Sequence, residues 1–179
     1  MNNTKTILKK VLVFAVSVYI LYILQTALFP YFELGGIVPN LLLILTTFYG
    51  FMRDKREGMI AGFVCGIVLD FSTGLLFGVH TLALLLIGFL NGFFRRIFFG
   101  DDVKLPILFT GISDLFYGMF MYVFFFIPRG STHFSYYLKS VMIPEAIYSV
   151  MVAFVLYFIY AKIFEVLDQD ERKKVEHIF

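Results

Sequence analysis

Long uncharged runs alternate with short basic clusters from one end of this 179-residue chain to the other. Residues 11–32 supply 22 uncharged positions, and residues 35–52 supply 18. Residues 105–127 carry a single charge, Asp114, and residues 141–161 carry only Glu145. A membrane-spanning helix needs about 20 apolar residues, with a range of roughly 17–25, so each run is a candidate span. The remaining run, residues 58–94, is 37 positions long and holds one aspartate, Asp70. As a single helix it would extend about 55 Å, well beyond a hydrocarbon core of about 30 Å. Two short spans folded as a hairpin resolve the mismatch. The turn is expected near residues 72–78, where Gly74 and Gly78 permit backbone angles that other residues avoid.

Charge sets the orientation. The basic clusters are Lys5, Lys9 and Lys10; Arg53, Lys55 and Arg56; Arg95, Arg96 and Lys104; and Lys162, Arg172, Lys173 and Lys174. Only Arg129 and Lys139 stand elsewhere. Lys and Arg beside membrane spans stay on the cytoplasmic side. Six spans leave thirteen of the 15 basic residues inside, whereas a single pass over residues 58–94 divides them eight to seven. The expected fold is therefore an all-α integral membrane protein, a six-helix bundle with both termini cytoplasmic. It forms one polytopic domain, residues 1–179, with spans near 11–32, 36–52, 58–73, 78–94, 105–127 and 141–162 and a cytoplasmic tail at 163–179. Residues 128–140 form its longest external segment.

Composition agrees with this reading. Sixty per cent of residues are apolar and 16% charged, against roughly 25% charged in soluble domains. No length remains for a soluble catalytic module. The net charge of +2 is small and its carriers sit in loops, so nucleic acid is not expected as a partner. The first apolar run exceeds the roughly 7–15 residues of a secretory signal and is read as a retained anchor. A lone cysteine, Cys65, excludes an internal disulfide and a Cys-rich metal site. Trp is absent, so Tyr31, Tyr49, Tyr136, Tyr137 and Tyr160 are the candidates for an interfacial belt.

Small residues at a spacing of four mark close helix contacts. Gly58, Gly62 and Gly66 share one face of the third span, and Gly88 and Gly92 share one face of the fourth. In lipid, small residues let backbones approach where apolar burial gives no drive. Packing between spans three and four is the first reading, and docking of a partner's helix is the alternative.

Polar groups inside the membrane carry the functional question. An ionised carboxylate at the bilayer centre costs about 2.5–3.5 kcal/mol even on the lenient insertion scale. Asp114 lies about 14 Å past Leu105, near mid-membrane, and Asp70 about 18 Å past Gly58, in the outer half. Gln25, Asn40, Ser72, Thr73, His80 and Glu145 fall at a similar depth. Asn40, Asp70, His80, Asp114 and Glu145 are thus candidates for a polar cluster or an outward-facing pocket. Helix capping at Asp70, Ser72 and Thr73 is the competing account. For Glu145 it is the favourable field at a helix start after Pro144. His80, His133 and His177 lie in different segments, which disfavours a metal site. No hydrolase, zincin or P-loop motif occurs, and the surroundings of Asp70 and Asp114 do not resemble an aspartyl dyad. Neither enzyme activity nor a cofactor is expected.

The order of features resembles a known family. Val38-Pro39-Asn40-Leu41-Leu42-Leu43 precedes the charged Arg53-Asp54-Lys55-Arg56-Glu57-Gly58. Gly62-Phe63-Val64-Cys65-Gly66-Ile67-Val68-Leu69-Asp70 and Gly74-Leu75-Leu76-Phe77-Gly78-Val79-His80 follow. This is similar to the rod shape-determining MreD family of bacterial cell-wall elongation. The matching positions are Pro39, Gly62, Gly66, Asp70, Gly74, Gly78 and His80; Asn40 stands where the family often has an acidic residue. The resemblance implies a multi-pass plasma-membrane scaffold that maintains cell shape. Its implied partners are MreC, the MreB filament directly or through MreC, and RodA with its class B transpeptidase, with self-association as a further expectation. The family is also similar in fold to the S-components of energy-coupling-factor transporters. That similarity implies the alternative function, binding of a vitamin-like solute, and fold-level analogy alone does not carry it.

Overall fold

The computed structural model describes residues 2–33, 35–74, 76–97, 104–129 and 134–176. Among them all regular structure is helical. Helix α1 (Asn2–Ile23) continues through a π turn (Leu24–Leu28) and a 3₁₀ turn (Phe29–Phe32). Helix α2 (Leu41–Phe48) ends in a π turn (Tyr49–Arg53), and α3 (Lys55–Thr73) and α4 (Val79–Ile97) follow. Helix α5 (Lys104–Met121) also ends in a π turn (Tyr122–Phe126). A short α6 (Phe134–Tyr137) passes through a fourth π turn (Leu138–Met142) into α7 (Ile143–Glu176). Among the described residues, three continuous helical stretches are long and apolar enough to cross a membrane: Ile7–Phe32, Lys104–Phe126 and Phe134–Gln169.

Helix α2 is the centre of the bundle. All eight of its residues are buried, so no face of it meets lipid. Its two threonines satisfy themselves: Thr46 Oγ1 donates to the Leu42 carbonyl at 2.9 Å and Thr47 Oγ1 to the Leu43 carbonyl at 3.0 Å. With its π turn the helix covers Leu41–Arg53, about 20 Å. The 18-residue run read from sequence is therefore helical only in part, because Ile37 to Asn40 are not helical. Pro39, which lacks a backbone donor, and Asn40 are buried there. Irregular backbone at membrane depth is tolerable where protein surrounds it.

Helices α3 and α4 form a tight antiparallel hairpin. Gly74 ends α3 in the left-handed region (φ +60°), its N–H donating to the Asp70 carbonyl at 3.2 Å, and Gly78 (φ +98°) completes the turn. Leu75, between them, lies outside the described residues. The glycine spacing explains the fit. A Cβ on Gly58 would lie 2.6 Å from the Gly88 carbonyl oxygen, and Gly62, Gly66 and Gly92 face the backbones of Leu84, Thr81 and Lys55 more closely still. All five glycines are covered by the chain itself. The alternative of a partner helix docking on them meets faces with no free surface.

Ion pairs gather the basic segments at one end of the bundle. Lys10 Nζ lies 3.3 Å from Glu57 Oε1, Arg53 Nε lies 2.9 Å from Glu57 Oε2, and Arg53 also pairs with Asp168. Lys55 sits over the Phe89 ring at 4.3 Å, and Phe51 stacks on Phe109 at the start of α5. The opposite end holds Tyr148, whose hydroxyl donates to the Phe32 carbonyl at 2.9 Å, and the Ser72–Tyr22 hydroxyl pair at 2.9 Å.

Candidate functional site

Two helix starts inside the bundle are capped by side chains. Asn40 Oδ1 accepts from Leu43 N at 3.1 Å, and Gln25 Oε1 accepts from Leu42 N at 3.2 Å. Together they satisfy two of the amides that open α2. Asp70 does the same for α4 across the glycine turn. Its carboxylate accepts from Gly78 N (2.9 Å), His80 N (3.0 Å), Thr81 N (3.1 Å) and the Thr81 hydroxyl. An anion at a helix N-terminus also meets the favourable end of the helix dipole. These four bonds answer why an aspartate is tolerated at a buried position. Thr73 and Ser72, by contrast, turn back to the Leu69 and Val68 carbonyls of their own helix.

Tyr117 is the point on which the sequence-nominated polar groups converge. Its hydroxyl lies 2.6 Å from His80 Nδ1, and the His80 ring packs against the rings of Tyr117 and Phe125. The same hydroxyl interacts with Asn40 and lies within electrostatic range of Asp70, Asp114 and Glu145. Asn40 N–H donates in turn to Ser149 Oγ at 3.2 Å. Asn40, Asp70, His80 and Asp114, all buried, and the half-buried Glu145 therefore lie within hydrogen-bond or electrostatic range of Tyr117, away from the ion-paired end. Tyr117 was not singled out by sequence. Its signal was the three-residue spacing from Asp114, which puts both on one face of α5.

Not every member of the cluster is satisfied. Both oxygens of Asp114, only 3% exposed, lack a hydrogen-bond partner; Ser149 lies beside them without reaching hydrogen-bond geometry. His80 Nε2 and Asn91 Oδ1 also lack partners. Asn91 Nδ2 reaches Ser113 Oγ at 2.8 Å and the Ile87 carbonyl at 2.9 Å, adding a second polar link between α4 and α5. Such a network has acceptors to spare and is chemically suited to hold a donor-rich polar group or water.

Glu145 is placed differently from the sequence reading. Helical structure begins at Phe134, where the external segment was expected to run to residue 140, and passes through the π turn into α7. Pro144 therefore lies within a continuous helix, and Glu145 has no helix start to sit on. The π turn spares Pro144 the steric cost of an interior proline, since its ladder is already interrupted there. Residues 130–133 of the external segment, with His133, lie outside the described residues, as does His177. Among the described residues no group of three or more His, Cys, Asp or Glu is arranged to hold a metal ion.

Comparison with known proteins identifies one family. The family model described as rod shape-determining protein MreD matches residues 5–167. No curated protein and no solved structure matches the chain.

Proposed function

The chain belongs to the MreD family of rod shape-determining proteins, and on that premise we propose that it is a non-enzymatic membrane scaffold of the cell-elongation machinery. Family membership carries a role in rod-shape determination. The match across nearly the whole chain is the observation on which the finer reading rests.

In this reading the chain crosses the plasma membrane six times with both termini in the cytoplasm. The pairing of Lys10 with Glu57 and of Arg53 with Asp168 supports it, because α1 and α7 then keep their basic ends together. Helix α2 is shorter than the hydrocarbon core, and its complete burial removes the need to match lipid thickness. The scaffold binds MreC within and outside the membrane. It reaches the MreB filament directly or through MreC, and it holds RodA with the class B transpeptidase. With the glycine faces filled, the surfaces left for partner helices include the outward face of α5 at Leu108, Ile112 and Met119. Segment 128–140 offers a contact outside.

Depletion from a rod-shaped host should round the cells, and affinity purification of the tagged chain should recover MreC. Unchanged shape after complete loss defeats the proposal. The carrier reading has less support. Asp70 and Asn40, the groups it needs for a polar solute, are engaged in capping α4 and α2.

A further inference from the structure

Helices α5 and α7 pack antiparallel, and two close contacts fix their register. A Cβ on Gly118 would lie 2.9 Å from Met142 Cγ, and one on Gly111 would lie 2.9 Å from Val150 Cγ2. Asp114, between the two glycines, therefore faces the turn 145–149 of α7. Its neighbours there are Ser149, fully buried, and Glu145, half-buried and within electrostatic range. We propose that Asp114 and Glu145 form a proton-binding site, holding one proton between them while the two helices are packed.

Nothing at this seam offsets two negative charges. Among the described residues no Lys or Arg pairs with either acid, and Lys139, on the π turn leading into α7, is exposed. The other titratable groups around the pair are Tyr117 on the same face of α5 and Tyr137 on α6, with His80 of α4 and Asp70 of α3 beyond Tyr117. His80 commits Nδ1 to Tyr117, and Asp70 is occupied at the start of α4. Helix α2, also packed on α5, has no ionisable side chain between Leu41 and Phe48.

Two carboxylates sharing a dry site do not both ionise, so the pair keeps a proton. Asp114 is its seat. Both of its oxygens lack a partner although the residue is only 3% exposed, the costliest setting for a charged carboxylate. Protonation removes the charge and turns one bare acceptor into a donor, with Glu145 and Ser149 Oγ as the acceptors at hand. A proton also needs no room. A basic side chain from another molecule could reach so covered a group only by parting α5 from α7. Glu145, the less covered of the two, is the side from which the proton enters.

The site is tested without the partners proposed above. Infrared spectra of the full chain in detergent at pH 7 should contain a protonated-carboxyl C=O band that shifts in D₂O and is lost in Asp114→Asn. Raising the pH should remove the band. Glu145→Gln, which takes away the neighbouring charge, should let it disappear at a pH about one unit lower. Glu57→Gln, at the ion-paired end, should leave it in place. The folded chain holds a proton that the unfolded chain has released, so the melting temperature should fall as pH rises on the alkaline side of neutrality. Asp114→Asn should abolish that fall. Absence of the band from the unaltered chain at pH 7 overturns the proposal, as does a band that survives Asp114→Asn. A band that follows sodium concentration at constant pH overturns it too, since the ligand would then be a metal cation. Where Asp114→Asn fails to fold, the Glu145→Gln shift decides, and an unmoved titration overturns the proposal.

Discussion

Gly58 and Gly88 face each other with no room for a methyl group between them: a Cβ on Gly58 would lie 2.6 Å from the Gly88 carbonyl oxygen. The neighbour is backbone on both sides, so relief requires the two helices to separate. Overpacking of this kind costs about 1–3 kcal/mol. Gly62→Ala and Gly88→Ala should each lower the melting temperature in detergent, and the double variant should unfold or be degraded in cells. Ile60→Ala, on the lipid-facing side of α3, is the control and should change stability by less than about 0.5 kcal/mol. Equal melting of Gly62→Ala and the unaltered chain would show that the hairpin is looser than described.

Asp70 holds the start of α4 through four acceptor contacts. Asp70→Ala strands three amides and should destabilise by about 2–3 kcal/mol, above the roughly 0.5–2 kcal/mol of an ordinary cap. Asp70→Asn keeps one acceptor oxygen and turns an NH₂ toward the remaining donors, so it should fall between. Thermal unfolding followed by circular dichroism ranks the three. A solute-binding role would instead leave melting unchanged in Asp70→Asn while abolishing ligand uptake.

Tyr117 and His80 share a hydrogen bond at 2.6 Å inside the bundle. Tyr117→Phe leaves the His80 ring without a partner on either nitrogen. Side-chain bonds between membrane helices average about 0.6 kcal/mol, with a maximum near 1.7, so the loss should be about 0.5–2 kcal/mol. His80→Phe alone and with Tyr117→Phe closes a double-mutant cycle. Full additivity would remove this pair from the list of contacts that hold α4 to α5.

Some of this architecture was legible in the sequence, and the division follows the range of each signal. The hairpin at residues 58–94 and its turn at Gly74 and Gly78 follow from length, charge count and the backbone freedom of glycine. The glycine spacing likewise announces close packing. It does not reveal that Gly50, from the π turn after α2, is wedged against Gly88, because Gly50 has no partner four residues away. Asp70 was recognisable as anomalous, but its partners are backbone amides eight to eleven residues on, which leave no mark in side-chain pattern. Pro144 suggested a helix start, and the π turn before it made that signal misleading. The shortness of α2 was hidden for a related reason. Apolar residues 37–39 continue its hydropathy without continuing its helix.

The ion-paired end has a pH dependence of definite sign. Burial alone would raise the Glu57 carboxyl, but the hydrogen bond and charge of Arg53, joined by Lys10, hold it below its ordinary value of 4.5. A group depressed in the folded state stabilises fully above its unfolded value and loses that contribution as pH falls through the folded one. The melting temperature should therefore be flat from pH 7 to about 5 and drop below about pH 4.5. Glu57→Gln should flatten part of that drop while lowering stability at pH 7. A drop of unchanged size would assign the acid sensitivity to other carboxylates.

Native Cys65 is free and fully buried, which makes the chain a clean background for topology. Under six crossings, Lys139→Cys should react with a membrane-impermeant maleimide in intact cells. Lys104→Cys and Glu165→Cys should react only after the membrane is opened. This outcome has a structural as well as a statistical basis. Lys104 opens α5 beside the Phe51–Phe109 stack, at the end where Arg53, Lys55 and Lys10 are gathered. Placing that end outside would move most of the chain's basic residues across the membrane, against the bias that orients membrane proteins. Labelling of Lys104→Cys from outside would mean an odd number of crossings before α5. The α3–α4 hairpin contributes an even number whether it crosses or re-enters, so only one of α1 and α2 would then cross.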